Sequence, residues 1–380
     1  MAGQPLILMY WAGGLEHAGG IGRMVGNLLR ARRHAERGER VLCLDTRGPH
    51  SILLSPLYLA AALGRTVLVR VTRRRAMAHV HMADSGSTIR KVIVCRTLAL
   101  LGVPYLLHLH TGNYDTYFRA LSAWQKQLVR GAFTAAFTVV VLGRWWQRLA
   151  VEEIGVAPGR VRVIANGAAD PGLPAAMPAH DVPRILFLGE FAPWKGIAEL
   201  IAALGQIADR PWHLICAGRG DWAEHGAAAT AAGLAERVEF LGWVDRDRAS
   251  ALLCEASIVA VPSHIEGFSV TLIEALANGI AVVATPVGAH PDILRHGENA
   301  MLVPPRDVPA LANALAVLLD EPARRAAIAR AGRTAFQANL DIEQIEKRFF
   351  GIYAEVFAAM SSGRSPRVGL APISKHENIS

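Results

Sequence analysis

Two glutamates eight positions apart, Glu266 and Glu274, are the side chains of this sequence with the clearest capacity for chemistry. They bracket Gly267, which permits a tight turn, and a stretch from 270 to 277 with helical spacing and no Gly or Pro. Backbone amides at a helix start attract phosphate, and a carboxylate one turn inside can accept hydrogen bonds from a ribose diol. The pattern favours a sugar-nucleotide site. The alternative is a solvated glutamate that only complements the helix dipole.

A lysine and several glycines stand where further phosphate contacts are expected. Lys195 comes just before a helical pattern, so its ammonium group and the helix N-terminus can together hold a diphosphate leaving group. A surface lysine beside a turn is the alternative. Gly218 and Arg219 follow one apolar run, and Gly288 follows another.

The glycine-rich segment 12–23 follows the first apolar run, and its bare backbone can approach a phosphate or a sugar. It lacks the G-x-G-x-x-G spacing of a dinucleotide loop, although Asp45 stands where the ribose-binding acid of a dehydrogenase is expected. A Rossmann oxidoreductase is therefore a weak alternative.

Strand-length apolar runs alternate with helical patterns in both halves of the chain. In the first half the strands are expected at 5–10, 41–45, 78–82, 105–110 and 138–142, and helices at 21–33 and 120–129. In the second half strands are expected at 184–188, 213–217, 238–241, 258–261 and 281–284, and helices at 196–207, 248–255, 271–278 and 308–319. Continuous rather than alternating hydrophobicity is typical of parallel sheets covered on both faces.

This alternation predicts an α/β protein of two doubly wound domains that face a central cleft. We expect an N-terminal domain at 1–170, a proline-rich linker at 171–183 and a C-terminal domain at 184–342. The helix at about 343–360 is expected to pack back on the first domain, and the polar segment 361–380 to be disordered. Ligands of such sheets bind at the carboxyl ends of the strands.

The positive charge is concentrated in the first half. Residues 1–175 carry 22 Lys and Arg against 9 Asp and Glu, a balance of +13, whereas the whole chain carries +8. The densest clusters, Arg30 with Arg32 and Arg33, and Arg70 with residues 73–75, suit a nucleic acid, an anionic lipid or a diphosphate-bearing acceptor, or they form a solvated basic face. Nucleic acid is the least favoured partner because no nucleic-acid-binding motif accompanies the charge.

No apolar run is long enough on its own to predict a membrane span, and the best, residues 52–63, is interrupted by Gly64 and Arg65. No signal peptide is recognisable, so we expect a cytoplasmic protein. The four cysteines lie singly in apolar segments and are expected to be buried thiols. Two His-x-His pairs, His79 with His81 and His108 with His110, could ligate a metal from one face of a strand, but no acidic or cysteine partner lies at ligand spacing.

The motifs, taken in order, resemble glycosyltransferase family 4. The series is Gly19-Gly20, His110, Asn166-Gly167, Gly189 with Lys195-Gly196, Glu266 and Glu274, and Gly288, and it spans residues 6 to about 357. Glu266 and Glu274 match the family's E-x7-E motif. Segments 79–87 and 107–112 resemble members that build bacterial surface polysaccharides. The resemblance implies a retaining enzyme with the GT-B fold, two Rossmann-like domains.

The resemblance also implies roles for individual residues. Glu274 would bind the nucleotide ribose and Lys195 the diphosphate, and Glu266 with the amides of Gly267 and Phe268 would bind the donor sugar. His110 would lie over the reacting sugar. The remaining predicted donor-site residues are Gly19 and Gly20 against the phosphates, Ser263 and Gly288 shaping the pocket, and Gly189, Gly218 and Arg219 in neighbouring loops. No metal or other cofactor is expected, because protein cations and helix dipoles carry the charge.

This chain departs from the family pattern at three positions. Glu190 replaces the usual arginine after the glycine of the diphosphate loop, and Arg219 or Arg23 could substitute for that cation. The turn at 166–170 has one residue more than the usual N-G-V-D, and Asp292 stands where glutamate is commoner.

We expect front-face attack by the acceptor hydroxyl, with a nucleophilic Glu266 as the alternative. Aromatic and basic residues at 114–130 and 144–148 suit a lipid headgroup region, although some of these aromatics are expected to be core. The predicted donor is a GDP- or UDP-linked hexose, the acceptor a polyprenyl-diphosphate-linked saccharide, and the location the inner face of the membrane. A GT-B epimerase and a non-catalytic sugar-nucleotide binder are the competing hypotheses.

Overall fold

The chain divides into two compact units in the computed structural model, which describes residues 4–13, 20–34, 38–49, 52–72, 75–172 and 181–362. The N-terminal unit comprises Met1–Ile164 together with Glu346–Ser380, and the C-terminal unit comprises Ala165–Ile345. Residues 173–180 of the expected linker and the expected tail from 363 onward lie outside the described residues.

The N-terminal unit is built on a six-stranded parallel sheet with the order β2-β1-β3-β4-β5-β6. Its strands are β1 (Leu6–Trp11), β2 (Arg40–Asp45), β3 (Ala76–Met82), β4 (Tyr105–Leu109), β5 (Thr138–Val141) and β6 (Val161–Val163). Its first helices are α1 (Gly20–His34), α2 (Ser55–Thr72), α3 (Ser85–Leu101), α4 (Tyr114–Ala120), α5 (Ala123–Thr134) and α6 (Arg144–Arg148). Every residue of β1, β3, β4 and β5 is buried, as expected for strands covered on both faces.

The C-terminal unit repeats the plan with the strand order β12-β11-β10-β7-β8-β9. Its strands are β7 (Arg184–Leu188), β8 (His213–Ala217), β9 (Val238–Gly242), β10 (Ile258–Val261), β11 (Ala281–Ala284) and β12 (Met301–Leu302). Its helices are α7 (Ile197–Gln206), α8 (Ala223–Ala231), α9 (Arg246–Glu255), α10 (Val270–Ala277), α11 (His290–Ile293), α12 (Val308–Asp320) and α13 (Pro322–Asn339). Apolar faces of α7 and α12 pack on one side of this sheet around Leu200, Leu204 and Leu315.

The last helix, α14 (Ile342–Ser361), returns to the N-terminal unit from Glu346 onward. The hydroxyl of Tyr353 lies 2.7 Å from Nδ1 of His79 on β3. Arg32 on α1 forms an ion pair with Glu39 at 2.7 Å and lies 3.7 Å from Glu346. Arg32 is buried in this pairing. It is therefore not exposed for docking with the rest of the basic cluster at 30–33.

All ten predicted strands exist, and their ends agree with the prediction to within two residues. Two short edge strands, β6 and β12, were missed. The helix expected at 120–129 was wrong in its bounds: α4 ends at Ala120, and α5 starts anew after Ser122, whose amide donates to Oε1 of Gln125 at 2.9 Å. Of the cysteines, Cys95 and Cys216 are buried, whereas Cys43 and Cys254 are half-buried thiols.

The expectation that no segment reaches the length of a membrane span is corrected by α2. The helix runs through Gly64 and Arg65, and the stretch Ile52–Thr72 is long and apolar enough to cross a membrane, by length and composition only. An isolated Gly or Arg does not end a helix when leucine and valine continue on both sides. Only one narrow face of this helix is buried, at Ser55, Ala62, Thr66 and Val69.

Candidate active site

The loops of the C-terminal unit meet where its strand order reverses. Counted from β7, the order is the doubly wound 3-2-1-4-5-6 arrangement, and the reversal falls between β7 and β10. In sheets of this kind, a ligand site forms in the crevice beyond the carboxyl ends of the two strands at the reversal. Lys195 follows β7, and Glu266 follows β10, so the topology brings together residues that are 71 positions apart.

Lys195 and Glu266 form an ion pair at this edge. The Lys195 Nζ donates to Glu266 Oε1 at 2.5 Å, and the Ser263 Oγ donates to the same oxygen at 3.1 Å. Both charged side chains are mostly covered, with 22% and 11% of their surface exposed. An ammonium group has three donors, so two remain for phosphate oxygens while Glu266 fixes its position. The structure thus unites three of the predicted site residues.

Backbone contacts hold the two loops against each other. The amide of His264 donates to the carbonyl of Trp194 at 2.7 Å, which ties the β10 loop to the β7 loop. On the other side, Gly288 follows β11, and a Cβ atom there would lie 2.2 Å from the carbonyl oxygen of Glu266. Only glycine permits this approach. The φ angle of Gly288, +59°, is also one that glycine adopts readily. Gly288 therefore acts by letting the β11 loop support Glu266.

Helix α10 starts directly behind this loop. Ser269 caps it by accepting from the amide of Leu272 at 3.4 Å, and Thr271 donates its hydroxyl hydrogen to the carbonyl of Leu188 at the end of β7 at 2.8 Å. Glu274, the fifth residue of α10, is half-buried and shares a helix face with Thr271. Glu274, the residue predicted to bind the ribose, thus lies about one turn inside α10. The N-terminus of α10 adjoins the end of β7, the strand that Lys195 follows.

The loop residues Gly267 and Phe268 are buried and held from behind. Asn166 donates from Nδ2 to the carbonyl of Phe268 at 3.2 Å, and the carbonyl of Gly267 accepts from the amide of Ala289 at 3.0 Å. Asn166 of the Asn166-Gly167 motif therefore positions the loop that carries Glu266, Gly267 and Phe268. Its neighbour Asp170 has another role, because it forms a two-oxygen contact with Arg333 at 2.6 and 2.7 Å.

Gly189, Gly218 and Arg219 lie at the same edge, one strand further out. The Gly189 amide donates to the Ala217 carbonyl at 2.9 Å, and a Cβ atom on Gly218 would lie 1.5 Å from the Gly189 oxygen. The Arg219 guanidinium is exposed and stands 5.8 Å from the ring centre of Trp243. Glu190 is exposed in the β7 loop. Within the part of the chain that the structure describes, Arg219 forms no hydrogen bond or ion pair with Lys195 or Glu266.

Two buried residues of this site carry no sequence motif. His290 donates from Nδ1–H to the Thr285 carbonyl at 2.8 Å, and its ring centre lies 5.8 Å from that of Phe268. Burial lowers the pKa of His290. Arg333 donates to the carbonyl of Ala277 at the end of α10 at 2.7 Å. A histidine just after a buried strand and an arginine in an amphipathic helix are too common to be recognised from sequence.

In the N-terminal unit the two His-x-His pairs form one cluster. Parallel pairing of β3 with β4 sets His81 opposite His108, so all four rings lie on one side of adjacent strands. His81 Nδ1 lies 2.7 Å from His110 Nε2, and His79 Nε2 lies 3.3 Å from His108 Nδ1. His110, one residue past β4, also donates its amide to the Met82 carbonyl at 2.9 Å. Sequence reasoning treated the pairs separately because it did not include strand register.

The cluster is buried, and His79, His81 and His108 are neutral at physiological pH. Burial, followed by repulsion from the neighbouring histidines, lowers the pKa of His79, His81 and His108 well below the usual value. One ligand atom from each of these three lies within 4.8 Å of the others, which permits a metal ion. The alternative is a hydrogen-bonded ring stack anchored by Tyr353, with His79 and His81 stacked at 4.1 Å between ring centres.

This cluster predicts acid sensitivity of the N-terminal unit. The unfolded chain binds protons on these histidines near pH 6.5 while the folded chain does not, so their stabilising contribution is present above pH 6.5 and lost as pH falls below it. Three such groups should lower the free energy of unfolding between pH 7.5 and 5.5, by at most about 4 kcal/mol, the limit in which the folded chain takes up none of these protons. Urea unfolding at both pH values measures this change.

A pair of variants separates the cluster from the other histidines. His108→Gln should remove about a third of the pH dependence, because glutamine does not titrate. His225→Gln, on helix α8 of the C-terminal unit, should leave it as in the native chain. Equal pH dependence in all three proteins would contradict the assignment.

The glycine-rich segment after β1 is partly outside the described residues, which include neither Gly19 nor the rest of 14–19. Gly20 begins α1. Asp45 Oδ1 accepts from the amides of Gly13, Arg47 and Gly48 at 3.1, 2.8 and 3.1 Å. Its carboxylate therefore organises the loop backbone, which removes the main support for a dinucleotide ribose acid.

The aromatic residues expected at a lipid surface are divided between core and exterior. Tyr114, Phe118 and Trp146 are buried, as the alternative interpretation held for some of them. Trp124 and Trp145 are exposed. Arg119 is engaged by Glu153 at 2.6 Å. Part of the aromatic set at 114–130 and 144–148 is therefore core, as the alternative held, and Trp124 and Trp145 remain at the surface.

Two parallel α/β units, one with an ion pair and a helix N-terminus at its strand reversal, have the architecture expected of the GT-B fold. Comparison with known proteins supports the same class. Residues 182–321 match the family model described as glycosyl transferases group 1, and residues 10–167 match the glycosyl transferase 4-like domain. A phosphatidyl-myo-inositol mannosyltransferase of Mycobacterium leprae is 30% identical over 354 residues, which cover 84% of this chain and 89% of that protein. The chain belongs to the group 1, GT4-type glycosyltransferases.

Solved structures show the same fold at low sequence identity. Sucrose-phosphate synthase from Thermosynechococcus elongatus superposes with a TM-score of 0.80 at 22% identity and covers 94% of this chain and 100% of that one. Anabaena HepE in complex with UDP-glucose gives a TM-score of 0.71 at 20% identity, with 93% and 99% covered. The predicted GT-B fold, the family and the transferase activity are therefore confirmed.

Proposed function

We propose that this glycosyltransferase moves a hexose from a nucleoside-diphosphate sugar to an acceptor hydroxyl with retention of anomeric configuration. The observation that carries the proposal is the Lys195 and Glu266 pair at the strand reversal, beside the N-terminus of α10. A cation and a helix N-terminus suit a diphosphate, and a fixed carboxylate suits sugar hydroxyls. Glu274, one turn inside α10, is proposed to bind the ribose.

We propose front-face attack for the transfer step. The bond between the anomeric carbon and the diphosphate oxygen breaks while the acceptor oxygen bonds to the same face. The departing diphosphate takes the acceptor proton and leaves as the nucleoside diphosphate. Lys195 stabilises the charge that develops on the leaving group. Glu266 contacts sugar hydroxyls in this scheme, and His110 is the further residue proposed to act on the reacting sugar.

No metal ion is assigned to the transfer step in this proposal, because Lys195 and the helix N-terminus supply positive charge to the diphosphate. Turnover measured in EDTA and again with added Mg²⁺ tests this assignment. Equal rates support it, and loss of activity in EDTA with recovery on Mg²⁺ overturns it.

The proposed donor is a UDP- or GDP-linked hexose, and the proposed acceptor is a polyprenyl-diphosphate-linked saccharide used for a bacterial surface polysaccharide. Two relatives support the two parts separately: Anabaena HepE is known in complex with UDP-glucose, and the Mycobacterium leprae relative is a phosphatidyl-myo-inositol mannosyltransferase. The balance of +13 over residues 1–175 supports a location on the inner face of an anionic membrane.

A donor panel tests this proposal. Purified protein is incubated with UDP-, GDP- and dTDP-linked sugars and with detergent-extracted membrane lipids, while released nucleotide and label entering the lipid fraction are followed. Label in lipid from one donor supports the whole proposal and identifies the donor. Nucleotide release without lipid label supports the donor site and contradicts the lipid-linked acceptor. Binding without release would favour the epimerase hypothesis.

A further inference from the structure

Helix α2 presents an apolar face that the protein leaves uncovered. Its four buried residues, Ser55, Ala62, Thr66 and Val69, form one narrow stripe against the sheet. Around an α-helix, Leu57, Leu68 and Val71 fall within about 60° of one another, nearly opposite that stripe. Their exposed fractions are 68%, 62% and 80%. A face with this composition is normally buried in a core or against lipid.

Hydrogen bonds fix α2 against the N-terminal unit, so its outward face has a defined orientation. The Thr66 Oγ1 hydrogen-bonds with the hydroxyl of Tyr10 on β1 and donates to the Ala62 carbonyl at 2.7 Å. Arg70 Nε donates to the carbonyl of Leu101 at the end of α3 at 2.8 Å. A helix held against its own unit in this way can lie on a membrane surface, but it does not span the membrane.

Helix α3, which packs against α2, adds a second exposed apolar stripe. Ile89, Ile93 and Leu100 are spaced so that they share one side of the helix, and all three are exposed. Two neighbouring helices of the N-terminal unit therefore both present exposed apolar residues.

The charge around α2 indicates which partner covers it. The sequence from 46 to 83 contains six arginines, at 47, 65, 70, 73, 74 and 75, and no Asp or Glu. Arg65 is exposed on α2 itself. An apolar face within a stretch that lacks acidic residues complements a bilayer with anionic headgroups, because leucines enter the acyl boundary while arginines remain at phosphate depth.

We infer that α2 docks this protein on an anionic membrane by lying in the headgroup layer with Leu57, Leu68 and Val71 inserted. The inference rests on the membrane location proposed above and replaces the aromatic surface that the sequence suggested with a specific helix. A second copy of this chain on the same face is the competing occupant, and the experiment distinguishes it.

The test uses the full chain and two variants with equal charge. Leu57→Glu with Leu68→Glu places two carboxylates on the exposed face of α2. Val163→Glu with Val182→Glu adds the same charge at exposed residues elsewhere, one in each unit. Both pairs are exposed, so folding, checked by circular dichroism, is expected to be native. Binding is measured by sedimentation with phosphatidylglycerol vesicles and with phosphatidylcholine vesicles at low salt.

The native chain should bind phosphatidylglycerol vesicles more tightly than phosphatidylcholine vesicles. The α2 variant should lose at least about tenfold in partition coefficient for each leucine, and the control variant should bind like the native chain. Native binding that survives in the α2 variant, or no binding by the native chain, overturns the inference. A fall in molar mass by light scattering for the α2 variant, with vesicle binding unchanged, assigns the face to a second copy and also overturns it.

Nucleotide release from the donor sugar, measured without vesicles, keeps this result separate from the proposed function. The α2 variant should release nucleotide at the native rate because Leu57 and Leu68 belong to the N-terminal unit, whereas Lys195 belongs to the C-terminal unit. Loss of vesicle binding with normal release supports the docking surface. Normal vesicle binding without any release counts against the proposed function alone.

Discussion

Replacing Lys195 with alanine should lower the rate of sugar transfer by about 100- to 1,000-fold. The ammonium group lies 2.5 Å from Glu266 at the strand reversal, where the diphosphate of the donor is proposed to leave. Without it, the negative charge that develops on the leaving group loses the stabilising charge of the Lys195 ammonium, and Glu266 loses the partner that holds it. Initial rates of nucleotide release and of sugar transfer measure both effects.

The fold should survive this change, because Ser263 still contacts Glu266 and Lys195 is partly exposed. Glu266→Gln keeps the shape of the side chain and removes its charge, so it should also reduce transfer strongly. Lys347→Ala, an exposed lysine on α14, is the matched control and should retain native rates. Native turnover in Lys195→Ala would overturn the assignment of the leaving-group site to this loop.

Replacing Gly196 with alanine should disrupt the same site through the backbone. Gly196 has φ +74°, and a Cβ atom there would lie 2.1 Å from the carbonyl oxygen of Pro262. The left-handed conformation and the overlap with a backbone oxygen together should lower the free energy of unfolding by at least about 2 kcal/mol. Because Pro262 precedes the Ser263 to Glu266 loop, the shift should also separate Lys195 from Glu266 and weaken donor binding.

Gly205→Ala in α7, the helix that Gly196 precedes, is the control for this prediction. A Cβ atom at Gly205 meets nothing within 4 Å, so alanine there should raise stability by about 0.5 to 1 kcal/mol. Urea unfolding and calorimetric binding of the nucleoside diphosphate measure the two effects. Two variants with the same stability and the same affinity would contradict the close approach of the two loops.

Local sequence was a sound guide wherever an element is buried on both sides. The strands at 184–188, 258–261 and 281–284 were predicted at their observed bounds, because a parallel strand covered by helices must be apolar throughout. The glycines in the loops after these strands also indicated where the backbone makes close contacts. Gly196 and Gly288 stand at close backbone contacts, which is a property of the residue type as much as of the fold.

The sequence was a poor guide wherever exposure decides the role of a residue. Tyr114, Phe118 and Trp146 looked like parts of a lipid surface but are buried. The apolar run at 52–63 looked too short for a membrane span, but α2 continues through Gly64 and presents exposed leucines. The pattern of an apolar helix is the same whether it faces a core or a bilayer. Its burial depends on neighbours that are distant in sequence.

The sequence by itself determined the class of this protein: the alternation of buried strands and helices, the E-x7-E spacing and the glycine turns are local patterns, and they suffice to identify a GT-B glycosyltransferase. Only the tertiary structure decided which charges meet. Strand order brings Lys195 to Glu266, and strand register brings His81 to His110. Helix packing turns Leu57 and Leu68 outward. These contacts join residues far apart along the chain, and hydrophobic burial, which is not directional, fixes them only when the whole unit packs.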